Sequence, residues 1–77
     1  MNAKITDVII HTREQLNDQQ FAEVTKQVYK TDGIVSLSRN VHTPKFLMVV
    51  YNAGRTRAKS ILATIKQQGY DASLVGI

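Results

Sequence analysis

The chain contains no cysteine, no tryptophan and a single proline in 77 residues. Without cysteine there are no disulfides, no thiolate-held metal ions and no cysteine nucleophile. No apolar run approaches the ~18 residues that mark a membrane span. The opening "MNAKITDV" has neither a long apolar stretch nor a small-residue cleavage pattern, so no signal peptide is expected. These absences together predict a cytoplasmic protein with no membrane association. Acidic residues are scarce in the second half of the chain. Residues 39–77 hold six basic side chains and one acidic one, whereas residues 1–38 hold four and five. The formal charge of +4 is therefore concentrated in the later half. Such a surface attracts phosphate, nucleic acid or an acidic protein face, although an excess this small also describes an ordinary solvated surface. A chain of this length is expected to form one domain, residues 1–77, around a modest core.

What is present is a clear alternation of strand and helix patterns. Ile5 to Thr12 reads as a strand, and the run Val8, Ile9, Ile10 makes it apolar on both faces, hence central. The polar stretch "HTREQLNDQQF" follows, from His11 to Phe21. Within it Asn17 is a good N-cap, Asp18 favours the positive end of the helix dipole, and Gln20 completes a capping box. Leu16 and Phe21 flank that cap as a hydrophobic staple. The helix is expected to run to about Thr31 on an apolar stripe of Phe21, Val24 and Val28, ending at Asp32-Gly33. Ile34 to Val41 alternates, with Val35, Leu37 and Val41 expected on one face. Arg39 interrupts that face, and its stem is expected to be buried near a strand end. "HTPK", residues 42–45, reads as a turn. "FLMVVY", residues 46–51, is apolar throughout and reads as the most buried strand. Thr56 is a candidate N-cap for a second helix carrying Ala58, Ile61, Leu62 and Ile65 at helical spacing. Gly69 stops that helix, and Asp71 to Val75 forms a last strand.

The order β-α-β-β-α-β, with right-handed crossovers, predicts an α+β ferredoxin-like plait. Its four-stranded antiparallel sheet carries two helices on one face. The two doubly apolar strands take the centre, so pattern and topology agree. The other sheet face is open. Alternate residues of 46–51 must point to it, either Phe46, Met48 and Val50 or Leu47, Val49 and Tyr51, with Ile9 of the first strand beside them. An open face of Ile9, Met48 and Val50 predicts a protein partner, most simply a second copy in a homodimer. Long side chains from the outer strands would be the alternative cover.

From Asp32 onward the chain resembles the heavy-metal-associated domain, the family of copper chaperones and of metal-binding domains in metal-transporting ATPases. The residues carrying the likeness are Gly33-Ile34, Leu37, Val41, Tyr51-Asn52, Ile61, Ile65 and Gly69-Tyr70-Asp71-Ala72, and the resemblance spans about residues 5–75. The family holds soft metal ions through two cysteines spaced three residues apart at the start of the first helix. Counting back from Gly33, those positions fall at or near Asn17 and Gln20, in a loop that is a few residues longer. Neither residue suits copper(I), which prefers thiolates. The resemblance thus implies the fold, and a role connected with metal homeostasis, without the metal site.

Other chemistry has thinner support. His11 with Glu14, and Asp18 behind them, offers imidazole and carboxylate donors of the kind zinc or copper(II) accepts. Otherwise no cofactor is expected. His42 is expected to lie far from His11, across the plait. Arg55, Arg57 and Lys59 cluster at the start of the second helix, where free N–H groups attract anions. They would suit a phosphate, nucleic acid or acidic protein face. Nucleic acid is not the expected partner: Phe46 or Tyr51 would be available for stacking, but the glycine-aromatic pattern of RNA-binding sheets is missing. Acylphosphatases share the plait and use an arginine and an asparagine, for which Arg13 and Asn52 are superficial counterparts, yet the first-loop motif is absent. No catalytic serine, histidine and aspartate spacing occurs. The expectation is a non-enzymatic module.

Overall fold

The computed structural model describes residues 4–75. In chain order its elements are β1 (Ile5–Thr12), α1 (Asp18–Val28), β2 (Ile34–Arg39), β3 (Phe46–Asn52), α2 (Ala58–Lys66) and β4 (Ala72–Val75). The sheet order is β2-β3-β1-β4, with every neighbouring pair antiparallel. The two strands apolar on both faces, β1 and β3, are therefore the central ones. Their register pairs Ile9 with Met48 and His11 with Phe46.

One face of the sheet carries Val8, Ile10, Leu47, Val49 and Tyr51 into a core completed by Val24, Val28, Ile61 and Ile65 from the helices. Alternation along the strands then sends Phe46, Met48 and Val50 the other way, which resolves the choice left open by the sequence. Both residues of the expected staple are drawn inward: Leu16 is fully buried and Phe21 packs against the core. α1 ends at Val28, earlier than expected, and the turn after it leads to Gly33, whose φ of 97° lies in the left-handed region. A side chain there would also meet Arg55, with an added Cβ only 2.8 Å from the Arg55 Cβ.

Three local expectations are corrected. Val35 and Val41 do not share a buried face with Leu37. A register shift between Ile34 and Ser36 turns Val35 outward, while Val41 lies in the hairpin beyond the end of β2 and is 85% exposed. A bulge of this kind resets the alternation by one residue. Thr56 is not the cap of α2. It is buried, and Arg57 takes the N-cap position with no side-chain hydrogen bond. Finally, His11 and the turn holding His42 lie at the same end of the sheet. β1 and β3 are antiparallel, so the end of β1 meets the start of β3, and the Thr12 N–H donates to the Lys45 carbonyl at 2.8 Å.

Candidate functional site

The β1–α1 loop is closed by its own side chains. The Gln20 backbone N–H donates to Asn17 Oδ1 at 2.7 Å, and the Asn17 backbone N–H donates to Gln20 Oε1 at 2.9 Å. This is a complete capping box. The two positions that the family resemblance assigns to metal-holding cysteines are thus engaged with backbone amides. Amide oxygens and nitrogens are also the wrong donors for a thiolate-seeking ion. The residues present do not fit that ion.

Arg39 braces the same loop from β2. Its guanidinium donates to the Leu16 carbonyl at 2.6 Å and to Asp18 Oδ1 at 2.9 Å, and it sits 4.5 Å from the centre of the Phe21 ring. Its side chain is only 20% exposed, against 100% for Asp18. The break in the apolar pattern of β2 is therefore a cation threaded under the helix start. The signal available in the sequence was an arginine on an apolar strand face in a protein whose first helix carries an aromatic residue, Phe21, in its first turn.

The other predicted residues are dispersed. His11 projects from the open face of the sheet, its ring centre 5.0 Å from that of Phe46 and tilted by 52°. Glu14 lies in the loop, exposed, with its backbone carbonyl accepting from the Thr12 hydroxyl. Among the described residues, no three His, Asp or Glu side chains gather as a metal site requires. Arg55 and Asp32 are ion-paired at 2.9 Å on the exposed surface, and Arg57 and Lys59 follow at the start of α2. Arg13 and Asn52 fall at opposite ends of β1, since Asn52 pairs with Ile5 while Arg13 follows Thr12. About eight residues of strand, or ~25 Å, separate them. They cannot act on one phosphate.

The open sheet face is the continuous feature that remains. Ser38, Met48, Ile9 and Val75 form a row running across all four strands, flanked by His11 with Phe46 on one side and Asp7 with Val50 on the other. Met48 is 41% exposed, Val75 39% and Ile5 53%. A depression of about 410 Å³ opens on this face, with Ile9, Phe46, Met48, Ser38 and, at its edge, Arg39 among its lining residues. Tyr51, by contrast, is buried toward the helices, so only Phe46 of the two candidate stacking aromatics is on the open side. The outer edge of the sheet is covered in part, because the Leu37 N–H of β2 donates to the Tyr29 hydroxyl at 3.2 Å.

No family model and no curated protein sequence matches the chain. Solved structures do. A putative copper-ion-binding protein from Bacillus anthracis has a TM-score of 0.81 at 15% identity, covering 94% of this chain and 100% of that one. Oxidized MerP from Ralstonia metallidurans CH34 has a TM-score of 0.79 at 15% identity, with coverage of 92% and 97%. The CsoZ metallochaperone has a TM-score of 0.76 at 20% identity, with coverage of 90% and 97%. At these identities the likeness is one of architecture, and it extends over nearly the whole of each chain. The fold is the one the sequence resemblance implied: the ferredoxin-like plait of the heavy-metal-associated domain, here closed at the start of α1 by Asn17 and Gln20 in a chain without cysteine.

Proposed function

We propose that this protein is a non-catalytic interaction module built on the heavy-metal-associated fold, acting in the cytoplasm and lacking the thiolate site. The reading rests on one observation. The loop that would hold the ion is consumed by a helix cap, while the open face of the sheet leaves Ile9, Met48 and Val50 without a covering layer. An apolar surface of this kind favours a protein contact over free solvent. Several proteins of the same architecture are named as metallochaperones or copper-binding domains, and that likeness supports a regulatory role connected with metal homeostasis. In that role the module contacts a protein without carrying the ion.

Site-specific photocrosslinking tests this reading. A photoreactive residue at Met48, on the open face, is compared in cells with one at Lys59, on the helical layer. The expected result is a discrete protein adduct from position 48 and none of comparable yield from position 59. Equal, diffuse labelling from both positions would remove the interaction surface from the open face.

A further inference from the structure

Resting on the reading of the open face as a contact surface, we infer that its occupant is a second copy of this chain, stacked face to face with strands reversed, so that Asp7 of each copy meets His11 of the other. The argument begins with charge. The chain carries ten Lys and Arg side chains. The strand residues facing the open side are Ile5, Asp7, Ile9 and His11 of β1, with Phe46, Met48, Val50 and Asn52 of β3 and Val35, Val75 and serines from the outer strands. None is Lys or Arg; Arg39 borders the depression at its β2 edge, but its guanidinium is taken up by the Leu16 carbonyl, Asp18 and the Phe21 ring. A phosphate polymer would find no counter-charge on these strands, and neither would an acidic protein. The face calls for an occupant that is mainly apolar, with polar groups placed to meet Asp7 and His11.

The placement of the polar groups then favours a copy of the same surface. Asp7, Ile9 and His11 follow at intervals of two along β1, so the anion and the imidazole stand about 6–7 Å on either side of Ile9. A two-fold axis lying along the row Met48–Ile9–Val75 reverses the strand direction of the second sheet. It places Ile9 over Ile9, Met48 over Met48, and Asp7 over His11 twice. Phe46 then stands over Val50, two large groups over two smaller ones. This is the self-complementarity an isologous interface demands. Sheets stacked in this way pack about 10 Å apart, a gap that Met48 and Ile9 side chains from both copies fill. Few of these residues are more than half exposed, so the interface belongs to the small class with modest affinity.

The test is sedimentation equilibrium on the whole chain at loadings up to about 1 mM, with circular dichroism of every variant. Wild type is expected to show a reversible monomer–dimer equilibrium. Asp7→Lys and His11→Asp are each expected to weaken it about tenfold, since each change spoils both symmetry-related contacts. An equimolar mixture of the two variants is expected to regain at least the wild-type affinity. In that heterodimer the introduced lysine meets the introduced aspartate, and the remaining His11 meets the remaining Asp7. Failure of the mixture to recover would overturn the reversed two-fold arrangement. A wild type that stays monomeric at the highest loading would overturn the second copy altogether. If Met48 crosslinks to a different protein in that case, the interaction reading stands alone. Should either variant misfold, isotope-filtered NMR on wild type supplies the answer: contacts between Met48 methyl groups of different copies support the arrangement, and their absence in a confirmed dimer refutes it.

Discussion

Replacing Arg39 by methionine probes the brace beneath the β1–α1 loop. The substitution keeps an unbranched apolar stem and deletes the guanidinium. Three contacts are lost, and they are unequal. The hydrogen bond to the Leu16 carbonyl is short and charge-assisted, and the side chain that makes it is mostly buried. Bonds of that kind contribute about 1.5–3 kcal/mol. The position over the Phe21 ring adds about 0.5–1 kcal/mol for a partly exposed cation. The bond to Asp18 adds little, because that carboxylate is fully exposed and screened by water. Methionine packing on Phe21 returns some of the loss. The expected net cost is about 2 kcal/mol, or a fall in Tm of about 8–16 °C for a domain of this size. Arg39→Lys should recover only part of it, because an ammonium lacks the planar fork that serves the carbonyl and the ring together. Asp18→Asn should remain near wild type. Urea unfolding followed by circular dichroism reads all three, and the m value should not change. If Arg39→Met lies within about 0.5 kcal/mol of wild type, the brace is not holding the loop and the account of the broken strand pattern fails.

Three further outcomes are expected. Asn17→Ala should cost about 1 kcal/mol through loss of the cap, and adding Gln20→Ala should cost less than it does alone, because the two halves of the box support each other; full additivity in a double-mutant cycle would show them to be independent. Gly33→Ala should cost about 2–4 kcal/mol, from the left-handed backbone and the collision with Arg55, whereas Gly69→Ala, with φ of 96° and no atom within 4 Å of an added Cβ, should cost about 1 kcal/mol; equal costs in thermal unfolding would refute the close approach at Gly33. Zinc or copper(II) titrated to stoichiometric excess should leave the His11 ring NMR signals in place, and a saturable shift shared by the Glu14 side chain would establish the non-thiolate site.

Much of the architecture was legible because strong local signals agreed with the topology. Val8, Ile9 and Ile10 could only belong to a central strand, and the Asn17–Gln20 box marked the start of α1 to the residue. The failures have physical causes. The bulge at Val35 depends on how β2 settles against β3, which no alternation rule contains. Arg57 displaced Thr56 as the cap of α2 because Thr56 was needed inside, beside Gly33. The proximity of His11 to the β2–β3 hairpin follows from the strand directions alone and was open to inference. The contact of His11 with Phe46 required the register as well. The candidate site was only half visible. The loss of the thiolates could be read directly, but the choice of which side of β3 stays open needed the buried face to be known.

The capping box has a consequence for the conditions under which this loop keeps its shape. A loop tied by thiolates and an ion has an occupancy: it changes with metal supply, with oxidants and with proton concentration, and its order is linked to all three. A loop tied by Asn17 and Gln20 has none of these variables. Its two amides neither titrate nor oxidise to a disulfide, so the start of α1 keeps one conformation in metal-starved and metal-replete cells alike.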